Sequence, residues 1–168
     1  MQLDPKRDVY MSRGRAYFFE GNYRAAQADF KQAAEQNNNE EQLHALIWLY
    51  FATQRLGEDG RAVIAGVRAR ANLSQWPGAA VMMLLGNATT EEMLSAAWSF
   101  ERKTELLQRC EAYFFLGEYR LLSADADAAR AAFNESFATG VKYYVEYAFS
   151  KLELARMGQS DSGKRAGK

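Results

Sequence analysis

An all-α chain of stacked helix pairs is the fold class that the sequence predicts, on three observations. Glycine, alanine and phenylalanine recur at one spacing, as Gly14, Ala26 and Phe30 near the start and as Gly117, Ala129 and Phe133 near the end. Two prolines stand against a body rich in Ala, Leu, Arg, Glu and Gln, side chains that lose little rotamer freedom in a helix. Turn residues punctuate the chain at helix-length intervals, and no segment reads as a strand.

The recurrence extends beyond those three positions. Tyr10-x-x-Arg13-Gly14-x-x-Tyr17 is followed by Ala26-x-x-x-Phe30 and Ala33. Tyr113-x-x-Leu116-Gly117-x-x-Arg120 is followed by Ala129-x-x-x-Phe133, and in both copies twelve residues separate the glycine from the alanine. Between them, Leu46-x-x-Leu49-Tyr50 with Ala62 and Ala69 keeps that spacing, although Tyr50 replaces the glycine and Gly66 replaces the aromatic. This pattern resembles the tetratricopeptide repeat (TPR), with tyrosine in place of tryptophan. Small residues at Gly14, Gly117, Ala26, Ala62 and Ala129 let paired helices approach, while Tyr17, Phe30 and Phe133 fill the space between pairs. One such pair cannot cover its own apolar face, so the pairs must stack.

The elements follow in order. Asp4-Pro5 reads as an N-cap with proline in the first turn. Gly21-Asn22 turns the first pair, and Gln36-Asn37-Asn38-Asn39 links it to the second. Gly57-Glu58-Asp59-Gly60 turns the second pair, with Asp59 as a cap. Tyr50 and Gly117 lie 67 residues apart, near two periods of about 34, which predicts an atypical third pair between them. Pro77 opens its first helix, Gly86-Asn87 ends that helix, and Thr89 with Glu92 forms a capping box for a short helix through about Trp98. Ser123-Ala124-Asp125 turns the last pair and Thr139-Gly140 ends it. A final helix over 142–157, carrying Tyr144, Tyr147, Leu152 and Leu154, caps the exposed end. The sequence thus predicts a single domain over 4–157, with pairs at 7–40, 43–74, 76–103 and 110–141, then a disordered tail over 158–168.

The C-terminal part carries a more specific resemblance. Cys110-Glu111-Ala112-Tyr113-Phe114-Phe115-Leu116-Gly117-Glu118, Ala128 to Phe137, Thr139-Gly140-Val141, Tyr144-Val145-Glu146-Tyr147 and Leu152-Glu153-Leu154 are similar to the NlpI-type TPR lipoproteins of bacteria. Leu73-Ser74-Gln75-Trp76-Pro77-Gly78, Leu85-Gly86 and Thr89 extend the match upstream, and the similarity covers most of residues 10–157. It implies a helical adaptor of the bacterial envelope, often dimeric, that brings peptidases or peptidoglycan enzymes to their substrates. The chain departs from that family in having no lipid-anchoring cysteine or signal pattern at Met1-Gln2-Leu3-Asp4-Pro5-Lys6. Two locations stay open: the envelope, where a targeting segment precedes residue 1, and the cytoplasm.

In a TPR stack the first helix of each pair lines the concave face. With Tyr10, Gly14 and Tyr17 packed inward, Met11, Arg15 and Phe18 form a second stripe. Ile47, Phe51 and Gln54 are its equivalents in the second pair, and Phe114, Glu118 and Leu121 in the last, flanked by His44, Arg55 and Glu111. Such a groove suits an amphipathic helix or an extended peptide, aromatics supplying area and charges orientation. TPR domains that grip acidic chaperone tails resemble one another in Lys and Asn at these positions. Met11, Arg15, Ile47 and Phe51 stand there instead, which argues against that specialised role.

Composition narrows the function further. Basic and acidic side chains balance at 21 each, so nothing favours a nucleic-acid backbone or an anionic membrane as partner. The longest apolar run, Ala45 to Ala52, is too short to span a bilayer. Catalysis needs a placed base, nucleophile or metal, but the chain holds one histidine, His44, and one cysteine, Cys110, in different pairs. No ligand spacing suggests a metal, no glycine-rich phosphate loop is present, and Glu40-Glu41 and Glu91-Glu92 read as solvated helix starts. The expectation is a non-catalytic scaffold without cofactor that binds a protein or peptide. A homodimeric structural module with no peptide in the groove is the alternative.

Overall fold

A computed structural model describes residues 5–36, 39–67 and 72–166, with side chains over 9–36, 40–67 and 72–158. Asp4, Asn37, Asn38 and Ala69, to which the sequence assigns a cap, a link and a packing position, lie outside the described residues. Among those described, the structure is α-helix joined by turns, with no strand. The helices are α1 (Pro5–Phe19), α2 (Tyr23–Gln36), α3 (Asn39–Arg55), α4 (Gly60–Val67), α5 (Gly78–Leu84), α6 (Thr90–Ala96), α7 (Arg102–Leu122), α8 (Ala126–Ala138) and α9 (Val145–Ala166). They gather into two compact units, Met1–Met93 and Leu94–Lys168, with the division inside α6.

Each helix pair turns in the same way. The amides of Gly21, Gly57, Gly86 and Ala124 donate to the carbonyls three residues back, Phe18, Gln54, Met83 and Leu121. Those of Asn22, Glu58, Asn87 and Asp125 donate to carbonyls five back, Tyr17, Thr53, Met82 and Arg120. This is the Schellman arrangement, which needs a left-handed residue just past the helix. Gly21, Gly57 and Gly86 supply it at φ 81°, 75° and 81°, and Ala124 does so at 57° despite its Cβ. Caps follow: the Asn22, Asp59 and Asp125 side chains accept from the amides of Ala25, Ala62 and Ala128. The predicted turns at Gly21-Asn22, Gly57 to Gly60, Gly86-Asn87 and Ser123 to Asp125 are all present.

The first unit is built around α3. Every side chain from Gln42 to Thr53 is buried, which is why its apolar run shows no single hydrophobic face. α3 packs on α2, α4 and α5, and α2 packs on α1. At the centre the Trp48 ring stacks on Phe30, centroids 5.7 Å apart, and meets the Phe18 ring nearly edge-on at 5.5 Å. Gly14 explains how α1 comes this near, since a Cβ there would stand 2.7 Å from the Phe30 ring. Arg13 ties the same two helices through both carboxylate oxygens of Asp29, at 2.7 Å each. That pairing raises the Arg13 guanidinium pKa further above its ordinary value, chiefly through the hydrogen bond to Asp29. In the second pair the volumes are exchanged: Tyr50 occupies the glycine position, and its ring lies where a Cβ on Gly60 would stand. Gly66, in the aromatic's place, faces open space.

The two helices that follow are short, seven residues each. α5 follows the cis Trp76–Pro77 bond, and Gly78 has no room for a side chain against the Leu73 carbonyl. The Thr89–Glu92 capping box forms in both directions, at 2.7 and 3.1 Å. α6 stops at Ala96, short of Trp98.

In the second unit α8 packs on α7 and α9 packs on both. Gly117 abuts the buried Phe133 ring as Gly14 abuts Phe30, with no space for a Cβ. Cys110 is buried, and the Ser136 hydroxyl donates to its carbonyl at 2.8 Å. α9 begins at Val145 rather than Lys142 and runs on to Ala166, past the predicted stop at Met157. Gly158 does not adopt the left-handed backbone that follows α1, α3, α5 and α7, and the backbone of 158–166 is helical.

Candidate functional site

The stripe expected to line an open groove is only partly open. Phe18, Ile47 and Phe51 are buried in the first unit, and Phe114, Glu111 and Glu118 in the second. These six are corrected to interior positions. α3 is enclosed by α2, α4 and α5, so no face of its apolar run reaches solvent. In the second unit α9 lies on α7, and the Phe149 ring comes within 6.3 Å of Phe114. His44 is also buried, and its Nδ1 donates to the Glu40 carbonyl one turn back, at 2.9 Å. Its ring is thus held to its own helix.

Met11, Arg15, Gln54 and Arg55 remain half-buried. The Arg15 guanidinium lies 5.5 Å from the Trp48 ring centroid and that of Arg55 lies 6.0 Å from Phe18. Both cations close over the aromatic core, where they gain quadrupole attraction and cover apolar surface. Gln54 donates to the Tyr50 hydroxyl at 3.1 Å. The single histidine and the single cysteine belong to different units, since His44 precedes the division at Met93 and Cys110 follows it. Burial raises the Cys110 thiol pKa, the opposite of what an attacking thiolate requires. Among the described residues no group of three or more His, Cys, Asp or Glu side chains could hold a metal. None of the described helices is long and apolar enough to cross a membrane.

The most open aromatic surface lies elsewhere, at the junction of α6 and α7. Trp98 is 56% exposed and Phe100 95% exposed, with their rings edge to face at 4.3 Å. Beside them is a cavity of about 530 Å³, walled by Leu94, Ala97, Trp98 and Tyr113 and bordered by Ser95, Glu105 and Arg109. Local structure explains its position. α6 ends at Ala96, and Glu101 starts the next helix by accepting from the amides of Lys103 and Thr104, at 3.0 and 2.6 Å, and from the Thr104 hydroxyl. Those bonds, the one from the Thr104 hydroxyl foremost, lower the Glu101 pKa below its ordinary value. The five residues 97–101 between the helices thus hold two large rings outside any helical face.

The Glu105 carboxylate meets Arg102 at 3.0 Å through one oxygen and Arg109 at 3.7 Å through the other. The Arg109 guanidinium in turn lies 5.7 Å from the Tyr113 ring centroid. A concave, mostly apolar wall with a few convergent charges has the makeup of a ligand site. Sequence reasoning missed this surface, because it carried the short helix through about Trp98, whereas α6 ends at Ala96. No protein-family model matches the sequence.

Proposed function

We propose that the chain is a non-catalytic TPR scaffold that holds a protein partner, with Trp98, Phe100 and the adjoining cavity as its principal contact surface. The observation that carries this reading is the exposure of two large aromatic side chains beside an apolar cavity. Tryptophan and other large rings dominate the energy of protein interfaces, and apolar area left in water favours burial by a partner at about 25 cal/mol per Å². The TPR assignment is supported by glycine seated on phenylalanine at the same spacing in both units and by four like turns. Resemblance to the NlpI-type lipoproteins supports an adaptor role and a place in the bacterial envelope. Within the first unit, the half-buried Met11, Arg15, Gln54 and Arg55 are a separate candidate for partner contact.

Affinity capture tests the proposal directly. Wild type and the double variant Trp98→Ser/Phe100→Ser, matched in circular dichroism and melting temperature, are used as bait in an extract of the source cells. Wild type is expected to retain specific proteins that the variant loses. Equal capture by both would contradict the proposed surface.

A homodimeric reading is favoured by a different observation. On α8 and α9, Phe137 stacks on Tyr147 at 4.7 Å, and Phe137, Leu152 and the neighbouring Tyr143 are all exposed. Light scattering across a dilution series tests it, because a monomer at every concentration excludes a stable dimer through this face.

A further inference from the structure

We infer that the α6–α7 cavity takes a short peptide segment of a partner protein in which a bulky apolar side chain adjoins a carboxylate. The inference rests on the protein-binding proposal above and names the chemistry that the same surface would select.

Shape sets the first requirement. The cavity, about 530 Å³, is within the range that holds an aromatic or branched side chain together with its backbone. Trp98 and Tyr113 both line it, so a ring or a branched aliphatic chain would bury aromatic surface there. Phe100, edge-on to Trp98 at 4.3 Å, extends that surface outward.

Charge sets the second requirement. Two guanidiniums, of Arg102 and Arg109, converge on the single carboxylate of Glu105, whose side chain is only 14% exposed. Arg102 hydrogen-bonds one oxygen at 3.0 Å. Arg109 approaches the other at 3.7 Å, beyond hydrogen-bonding reach, so its link to Glu105 is an ion pair alone. Its guanidinium lies 5.7 Å from the Tyr113 ring centroid, and both residues line the cavity. A partner carboxylate would accept from Arg109 in place of water and balance the second cation, in the forked geometry that arginine favours. A basic segment would meet the Arg109 guanidinium at the cavity, and a purely apolar one would displace its water without replacing those hydrogen bonds.

The test begins with a random heptapeptide library displayed on phage and selected on the whole chain. Clones that also bind Trp98→Ser are removed. The expected enrichment is an aromatic or branched aliphatic residue within two positions of Asp or Glu. The most enriched peptide, fluorescently labelled, is then titrated by anisotropy into wild type, R109Q and E105Q, each checked for an unchanged melting temperature. R109Q should weaken binding on the order of tenfold. E105Q should tighten it severalfold, because both guanidiniums then turn to the peptide. Raising salt from roughly 50 to 500 mM should weaken the wild-type complex, a check that needs no variant.

Enriched peptides without an acidic residue would overturn the inference and leave the protein-binding proposal standing. Equal affinity for wild type and R109Q, combined with indifference to salt, would do the same. Self-association of the chain that Trp98→Ser abolishes would overturn it in favour of a second copy as the occupant. Failure of the proposal itself would appear separately, as equal capture by wild type and the Trp98→Ser/Phe100→Ser bait.

Discussion

Gly117 has no side chain because the Phe133 ring occupies the space where one would stand, and that ring is fully buried and cannot give way. Gly117→Ala gains helix propensity of about 1 kcal/mol but forces an overpacked core. A net loss of about 1–2 kcal/mol in urea unfolding is expected. Gly66→Ala supplies the control, since nothing lies within 4 Å of the added methyl. The same propensity gain should there stabilise the chain by about 0.5–1 kcal/mol. Ala124 is the converse case, an L-residue at φ 57° where the other turns use glycine. Ala124→Gly relieves left-handed strain of about 1–2 kcal/mol against a smaller loss to unfolded-chain entropy. A rise in melting temperature of a few degrees is the expected readout. The spacing of Gly14 with Phe30 and Gly117 with Phe133 made these packing sites legible in the sequence. The exchange of volumes at Tyr50 was half legible: the substituted positions could be named, but not that Gly60 would receive the ring.

At the scale of elements, local chemistry was readable wherever it was self-contained. The Thr89–Glu92 box uses residues three apart and forms as predicted, so Thr89→Ala should cost about 1 kcal/mol in unfolding experiments. Glu101 escaped sequence reading, because glutamate is an uncommon cap and its role depends on where α6 stops. Its lowered pKa makes a signed prediction. The unfolded chain binds the Glu101 proton more tightly, so this contribution is present at neutral pH. It is lost as pH falls below about 4.5 and through the folded-state value. Glu101→Gln should flatten the acid limb of the stability profile, measured by melting temperature against pH, while Thr89→Ala lowers the whole profile. The stripe on α3 was misjudged for a physical reason. A helix apolar on every side offers no periodicity to separate core from groove, and only the helices packed around α3 decide that Ile47 and Phe51 are interior. A final capping helix was legible in the sequence, and α9 packs on α7 with the Phe149 ring 6.3 Å from Phe114.

At the scale of the whole chain, helix order and paired turns followed from short-range signals repeated along the sequence. The contact surface did not, because exposure belongs to tertiary structure. Trp98 and Phe100 look like core residues by type, and only the end of α6 at Ala96 and the start of α7 at Arg102 leave them in solvent. The account therefore turns on whether another protein covers those rings in the cell. Site-directed photocrosslinking answers this most directly, with p-benzoylphenylalanine placed at Phe100 and, in a parallel strain, at the exposed but differently placed Tyr143. The account predicts adducts from Phe100 to a protein other than the chain itself, diminished by Arg109→Gln and absent from Tyr143. Adducts at the mass of a dimer alone, or none from Phe100, would contradict it.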